Sequence, residues 1–476
     1  MKKVLIKNTL INLKKLLRTP QIFFAIIASI FGLVFIFVIP PFQNSDEPVH
    51  FYRAYQISDG GLISEKMGES AGGFLPASIE DIVHINQLGR YGEQIPFHEN
   101  ERYRLGNIKD SIKVRLDKDN EKQILFPSSA IYTPVPYAPH SIGILIANLF
   151  SAPPIIAFYL GRLFGLVFFI VSAFYIIKTT PRYKWAFVGL LLLPMTLVQA
   201  TAITADTVLN IAVALFMSLI LLANEKGLNK KQLALIGIAS VAIVLSKQVF
   251  FLVLPLLFLI PVKVFKTKLR KLLFIFGIIA VSAASYFAFG GASGTPSAVN
   301  STVGANISAQ VEHITNNLVQ IPSLFINTFL EKDCSGICLS LAGNFGWQDT
   351  PLPFVAVLIV YGLLFVIFFV RYLKPEDVEF RRNRRAYNVG VLTVAALLFG
   401  AICMALYLSW TAVGVDKIAG LQGRYFIPVL IVLSTVTISK LTIYIKEETY
   451  VNILRSLILI VLVSSVLTIS ARYIFA

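Results

Sequence analysis

The sequence predicts an all-α polytopic membrane protein of about eleven transmembrane helices, with a large first extracytoplasmic loop containing a small α/β element. Three observations predict it. Of 476 residues, 56% are apolar and only 14% charged, against about a half and about a quarter in soluble domains. The apolar residues gather in runs of bilayer-spanning length. The basic residues, which leave a net charge of +16, gather between alternate runs. This composition excludes a soluble globular enzyme, a disordered chain and a disulfide scaffold.

The first run, residues 22–39, follows a basic tail of Lys2, Lys3, Lys7, Lys14, Lys15 and Arg18. Pro40-Pro41 follows it in place of a small-residue cleavage site, so it reads as a signal anchor. Further spans are expected at 154–177, 185–200, 206–223, 232–245, 249–261, 272–289, 353–370, 389–408, 425–439 and 453–469. Segment 141–150 is too brief to cross alone and reads as re-entrant or interfacial, which leaves ten to thirteen spans open.

With the amino terminus inside, 26 basic residues fall on inside segments, accompanied by six acidic ones. Short outside loops carry only Lys247, Lys332, Lys417, Arg424 and the terminal Arg472. This asymmetry is the positive-inside rule, and it orients the chain in the cytoplasmic membrane with its long loops outside. Inside segments then sum to +20 and the remainder to −4. The basic balance is a topology signal that calls for a lipid bilayer and for no nucleic-acid partner.

Five regions follow. Residues 1–40 are the cytoplasmic tail and first helix, and 41–140 an extracytoplasmic subdomain. Residues 141–289 are transmembrane helices, 290–352 a second outer loop, and 353–476 the last helices. In the first loop Ile112, Val114 and Leu116 alternate, as do Ile124 and Phe126, around a polar turn at 117–122, and a β-hairpin is expected. The proline-rich run 132–139 is expected to be extended. In the second loop Ile307, Val311, Ile314, Leu318, Ile321 and Phe325 form one apolar helix face, to lie on the outer leaflet or pack on the bundle. No internal repeat supports an inverted-repeat transporter.

Ionisable residues at span ends are costly and often functional. Asp46 and Glu47 precede Pro48 and His50 just beyond the first span. They read either as a helix cap or as carboxylates at the mouth of the bundle, there to act as a general base or hold a metal. Asp206 stands at the start of the fourth span, after Gln199, where the helix dipole favours a carboxylate whether or not it serves a site. Lys247 breaks the charge pattern on a short outer turn, which calls for a phosphate or carboxylate partner. Arg424 opens the tenth span beside Gly423 and suits bidentate phosphate binding. Arg162 lies within the second span and must face the bundle, a wet groove or a buried partner. The expected topology puts Asp46, Glu47, His50, Asp206, Lys247 and Arg424 at one membrane face.

Cys334 and Cys338 are spaced for a disulfide in the oxidising exterior, or stand as separate thiols. Cys403 lies within a span and reads as core. No Walker loop or dinucleotide fingerprint appears, so nothing suggests direct ATP handling.

The run Pro40-Pro-Phe-Gln-Asn-Ser-Asp-Glu-Pro-Val-His-Phe-Tyr-Arg-Ala-Tyr55 resembles the opening of a bacterial membrane-protein family called domain of unknown function 2142. Tyr132 to Tyr137, Leu193 to Gln199 with Asp206, Ser246-Lys247, Gly346 to Pro351 and Gly423 to Pro428 are also similar. The resemblance runs from the first span to about the tenth. It implies a fold akin to the GT-C glycosyltransferases, which transfer a sugar from a polyprenyl-phosphate donor outside the membrane. It also implies an acidic first-loop residue, matched by Asp46 and Glu47, and cations near the donor phosphate, matched by Lys247 and Arg424. Asp-Glu replaces the Asp-x-Asp of metal-dependent relatives, so no cofactor is certain and a divalent metal stays open.

The expected function is transfer of a sugar from that donor to a cell-surface glycan or lipid. Asp46 is the expected base, with Glu47 or His50 assisting, and Lys247 and Arg424 offset the leaving phosphate. Gln199, Asp206 and Arg162 complete the candidate binding set. A transporter or flippase for lipid-linked saccharides is the alternative, as is a non-catalytic assembly protein.

Overall fold

Each of the eleven expected spans contains helix in the computed structural model, which describes residues 18–68, 70–86, 103, 106–293, 304–330, 334–372, 385–436 and 441–475. Among the described residues, six helices are long and apolar enough to cross a membrane: Pro20–Val38, Pro154–Thr179, Asp206–Glu225, Lys268–Phe289, Arg385–Ser409 and Glu447–Tyr473. The others are shorter, and proline punctuates several. Pro194 divides the third expected span into Lys184–Leu191 and Pro194–Ala200. Pro255 lies within the tight 3₁₀ segment Gln248–Leu259, and Pro428 opens Ile427–Leu433. Proline cannot donate the backbone bond that a continuous α-helix needs.

The helix Asp206–Glu225 is the axis of the bundle, with 94% of its apolar window buried. It packs against Pro154–Thr179, Lys230–Ser246 and Ile427–Leu433. Cys403 is fully buried in the surrounding core, as its place within a span implies.

The first loop carries a three-stranded antiparallel sheet of Glu65–Met67, Ser70–Pro76 and Glu121–Leu125, with Ser70–Pro76 in the middle. This corrects the expected hairpin. Its second arm, 121–125, is a strand, but its first arm is not, because Gly106–Lys113 is helical and leaves Ile112 half exposed. The true partner is the glycine-rich run in which Gly72 faces Leu125 and Gly73 faces Ile124. A Cβ at Gly72 would collide with the Ile124 carbonyl, so the close pairing requires glycine there.

The run 132–139 is not extended either. Val135–Tyr137 forms a 3₁₀ turn that leads into the helix Ala138–Leu149. This helix, which contains most of the short segment 141–150, lies against Pro154–Thr179, and a Cβ at Gly143 would strike the Leu160 carbonyl. In the second loop the expected continuous face is broken into Ile307–Asn316 and Ile321–Leu330. The chain leaves helical dihedrals at Asn317, with φ −134° and ψ 40°, which breaks the face. Ile314, Phe325 and Phe329 pack on the bundle, while Val319 and Leu330 remain exposed. The Cys334–Cys338 pairing falls on a side chain outside the described ones, as does the basic tail before Arg18.

Candidate functional site

The chain leaves its first helix at Ile39 and turns sharply before the helix Glu47–Ser58. The second loop clamps this turn. Ser45 donates from its backbone N and from Oγ to the Gly346 carbonyl, at 3.1 and 2.9 Å. Trp347 donates Nε1 to the Phe42 carbonyl at 3.2 Å. Asp349 braces the clamp, accepting from the Trp347 backbone N at 3.1 Å and pairing with Arg472 at 3.3 Å. Phe42, Asp46 and Gln348 all hold positive φ, at 64°, 64° and 68°. Such residues cost energy and persist only where their surroundings over-determine them.

Asp46 and Glu47 are neighbours with opposite engagements. Asp46 occupies the cap position of Glu47–Ser58 but makes no side-chain cap bond. Its Oδ2 accepts from Arg424 Nη2 at 2.9 Å, and the Asp46 side chain is 48% exposed. Glu47 is sealed. Arg162 grips it with Nε–Oε1 at 2.8 Å and Nη2–Oε2 at 2.5 Å, and both side chains are 0% exposed. Asn44 and the Ile203 backbone N also donate to Glu47. Arg162 spends its remaining hydrogens on the carbonyls of Ile36, Ile39 and Pro40, and its guanidinium stacks on Phe158. The pair therefore pins the end of the first helix to the bundle. Glu47, expected to assist the base, and Arg162, expected either in the binding set or with a buried partner, thus engage each other.

Asp206 likewise declines its local role. It opens its helix without a side-chain cap bond. Its Oδ1 pairs with Lys247 Nζ, and its Oδ2 accepts from Gln199 Nε2 at 2.8 Å. Lys247 also lies over the Tyr425 ring at 5.2 Å, and Arg424 lies 5.4 Å from the same ring. Tyr425 thus stands between two carboxylate–cation pairs, Asp46–Arg424 and Asp206–Lys247. Burial works against the Lys247 charge, but Asp206, Tyr132 and Tyr425 overcome it and raise its pKa.

His50, one helical turn from Asp46, shares a 2.5 Å hydrogen bond between Nδ1 and the Tyr137 hydroxyl. Its ring also lies near Tyr132. Burial pushes the His50 pKa down to about 4, with Lys247 and Arg424 lowering it further and Asp46 and Asp206 opposing. His50 is accordingly neutral near pH 7.

Beside Arg424 a small cavity of about 30 Å³ is lined by Asn44, Ser45, Gln199, Asn344, Gln348 and Gln422, among others. That is room for about one water or one hydroxyl group. The Arg424 Nε and the Asn344 Oδ1 are buried there without a hydrogen-bond partner among the described residues. The set is rich in carboxamides and suits hydroxyl recognition.

Asp46 and Glu47, the two residues that a metal would call on, are both engaged by arginines. Both Glu47 oxygens are occupied by Arg162, and the Asp46 oxygen that is engaged faces Arg424. Among the described residues no group of three or more His, Cys, Asp or Glu side chains converges.

Asp46, His50, Gln199, Asp206, Lys247 and Arg424 are thus brought together, whereas Glu47 and Arg162 lie behind them as a brace. The tyrosines were missed, although Tyr132, Tyr137 and Tyr425 all lie within the motifs quoted for the family resemblance. A buried Tyr hydroxyl needs a partner, but nothing local in the sequence joins Tyr137 to His50, 87 residues away.

Fold and site together define a polytopic α-helical membrane protein with a charged, aromatic-lined site at the end that carries its long loops. The chain belongs to the predicted membrane protein family DUF2142, whose model matches residues 29–433. No curated protein matches it, and no solved structure does.

Proposed function

We propose that this protein is a membrane glycosyltransferase that moves a sugar from a polyprenyl-phosphate donor to a cell-surface glycan or lipid, on the outer face of the cytoplasmic membrane. The observation that carries this reading is the pairing of Asp46 with Arg424 and of Asp206 with Lys247 around Tyr425. Each carboxylate stands at a helix start, where backbone donors are at hand, yet reaches a cation far away in sequence. Such an arrangement holds two positive charges and one accessible base in a fixed group.

The chemistry assigned to it is an inverting transfer. The acceptor hydroxyl approaches Asp46, which takes its proton as the oxygen attacks the anomeric carbon. The bond from that carbon to the phosphate oxygen breaks, and the lipid phosphate leaves with the electron pair. Lys247 and Arg424 offset the charge that develops on it. Arg424 is shared between Asp46 and the phosphate, so its departure toward the phosphate frees Asp46 as a base. Asp206 and Gln199 hold Lys247 in place. The carboxamide-lined cavity beside Arg424 receives a sugar hydroxyl. The half-exposed Asp46 then releases the proton to solvent.

The test is donor turnover by purified protein in proteoliposomes. Asp46→Asn is expected to lower transfer about a hundredfold or more, the usual worth of a general base. Unchanged transfer would remove Asp46 from the chemistry.

A further inference from the structure

The second long loop holds a helix whose apolar surface the charged site does not use. Along Ile321–Leu330, Leu324 and Thr328 are buried, and Phe325 and Phe329 pack on the bundle. The next stripe at helical spacing, Ile326 and Leu330, is 53% and 80% exposed. The polar side chains beside that stripe are spent on the protein. Asn327 donates to the Asp416 carboxylate at 3.2 Å, and Thr328 Oγ1 accepts from the Ile418 backbone N at 3.0 Å. From Ile314 to Leu330 the sequence has no ionisable side chain.

Packing fixes the depth of this helix. Phe329 meets Phe399 with ring centroids 5.2 Å apart. Phe399 belongs to the long apolar helix Arg385–Ser409. It stands about 21 Å from the Arg385 end and about 15 Å from Ser409. That helix is about 38 Å long, and a hydrocarbon core is about 30 Å thick. Phe399 therefore lies inside the core, whichever end of its helix marks the boundary. Leu397, two residues away, is 53% exposed, so this flank of the helix faces outward from the bundle. Leu330 follows Phe329 directly and is uncovered at nearly the same depth.

At that depth an uncovered side chain meets acyl chains, and a helix can lie there because its backbone bonds are internal. We infer that Ile321–Leu330 is an interfacial helix in the leaflet on the Ser409 side. Ile326 and Leu330 reach into the acyl chains, and Asn327 turns to the loop at Asp416. The occupant of the exposed stripe is the bilayer itself. This placement bears on the site, because Phe399 also packs on Phe426, with ring centroids 5.0 Å apart. Phe426 closes the turn Gly423–Phe426 that carries Arg424 and Tyr425. The leaflet helix is thus tied through two aromatic contacts to the cation that holds Asp46. The inference is independent of the transferase reading and holds for any chemistry at the charged site.

The experiment attaches one nitroxide at a time to Leu330→Cys, Ile326→Cys and Glu312→Cys. The full-length protein is used in phosphatidylcholine vesicles, with Cys334 and Cys338 replaced by Ser and the buried Cys403 kept. All three labelled positions are exposed, so each protein should keep the wild-type thermal midpoint. Glu312, charged and exposed, is the water-side reference. Power-saturation spectroscopy reads collisions with oxygen, which concentrates among acyl chains, and with a water-soluble nickel chelate, which they exclude. The labels on Leu330→Cys and Ile326→Cys are expected to meet the chelate about tenfold less often than the label on Glu312→Cys does, and oxygen more often. Chelate access equal to that of the reference means that the stripe faces water and overturns the inference. Low access to both reagents means that protein covers the stripe and overturns it as well. Dipolar broadening in a singly labelled chain would then identify that cover as a second copy.

Discussion

The Asp46 carboxylate meets Arg424 at 2.9 Å across 378 residues of sequence, although it stands at the cap position of a helix. A capping Asp normally accepts from the backbone N–H groups of the first turn. Here the left-handed backbone at Asp46 turns the carboxylate toward Arg424, and the Gly346–Asp349 clamp holds that backbone in place.

Glu47 and Arg162 should therefore behave as structure. Removing one partner of a buried ion pair leaves an uncompensated charge and costs about 3–5 kcal/mol. Arg162→Met is expected to lower the thermal midpoint sharply in detergent. Glu47→Gln combined with Arg162→Met should recover much of that loss. A single variant as stable as the wild type would mean that the pair does not brace the first helix.

Asp206 and Lys247 give the opposite pattern. Lys247→Gln and Asp206→Asn should each destabilise, because each strands a partly buried charge. The double variant should regain stability but not transfer, since the phosphate then lacks its ammonium. A double-mutant cycle on thermal midpoint and turnover together separates the two roles. Recovery of transfer in the double variant would assign the pair to folding alone.

His50 sets a pH dependence of stability. Its folded pKa is pushed down to about 4, whereas the unfolded ring titrates near 6.5. Above about pH 6.5 both states are neutral and the contribution is complete. As the pH falls toward 4 the unfolded chain binds a proton that the folded chain does not, so stability declines through that window and levels off below it. His50→Gln should flatten this part of the curve in thermal unfolding between pH 4 and pH 7. An identical slope in the variant would mean that His50 is not the titrating group.

The expected orientation is checked by labelling. Asp119→Cys, in the first loop, should react with a membrane-impermeant maleimide in intact cells, in a background where Cys334 and Cys338 are replaced by Ser. Lys230→Cys should react only after the cells are opened. The reverse pattern would invert the topology and move the charged site to the cytoplasmic side.

The helices were legible because long apolar runs report burial directly. The four charged residues at the heart of the site were legible for a related reason: Lys247 and Arg424 break the charge pattern, and Asp46 and Asp206 stand at span ends. Their pairing was not legible, because nothing local joins position 46 to 424 or 206 to 247. The engagement of Glu47 with Arg162 was hidden in the same way, and one residue's difference in register separates a brace from a candidate base. The sheet misled because Glu121–Leu125 pairs with Gly72, Gly73, Phe74, Leu75 and Pro76, whose glycines and proline carry little strand signal. The breaks inside the short spans were not legible, because apolar composition persists through Pro194 and Pro255 while the regular α-helix does not.

The most direct measurement of the central claim is transfer of labelled sugar from a polyprenyl-phosphate donor by purified protein in proteoliposomes, comparing wild type with Asp46→Asn. The expected result is transfer by the wild type and a loss of about a hundredfold or more in the variant, with donor crosslinking and thermal midpoint retained. Absence of transfer by well-folded wild type across a panel of polyprenyl-phosphate sugars, or equal transfer by Asp46→Asn, would contradict it.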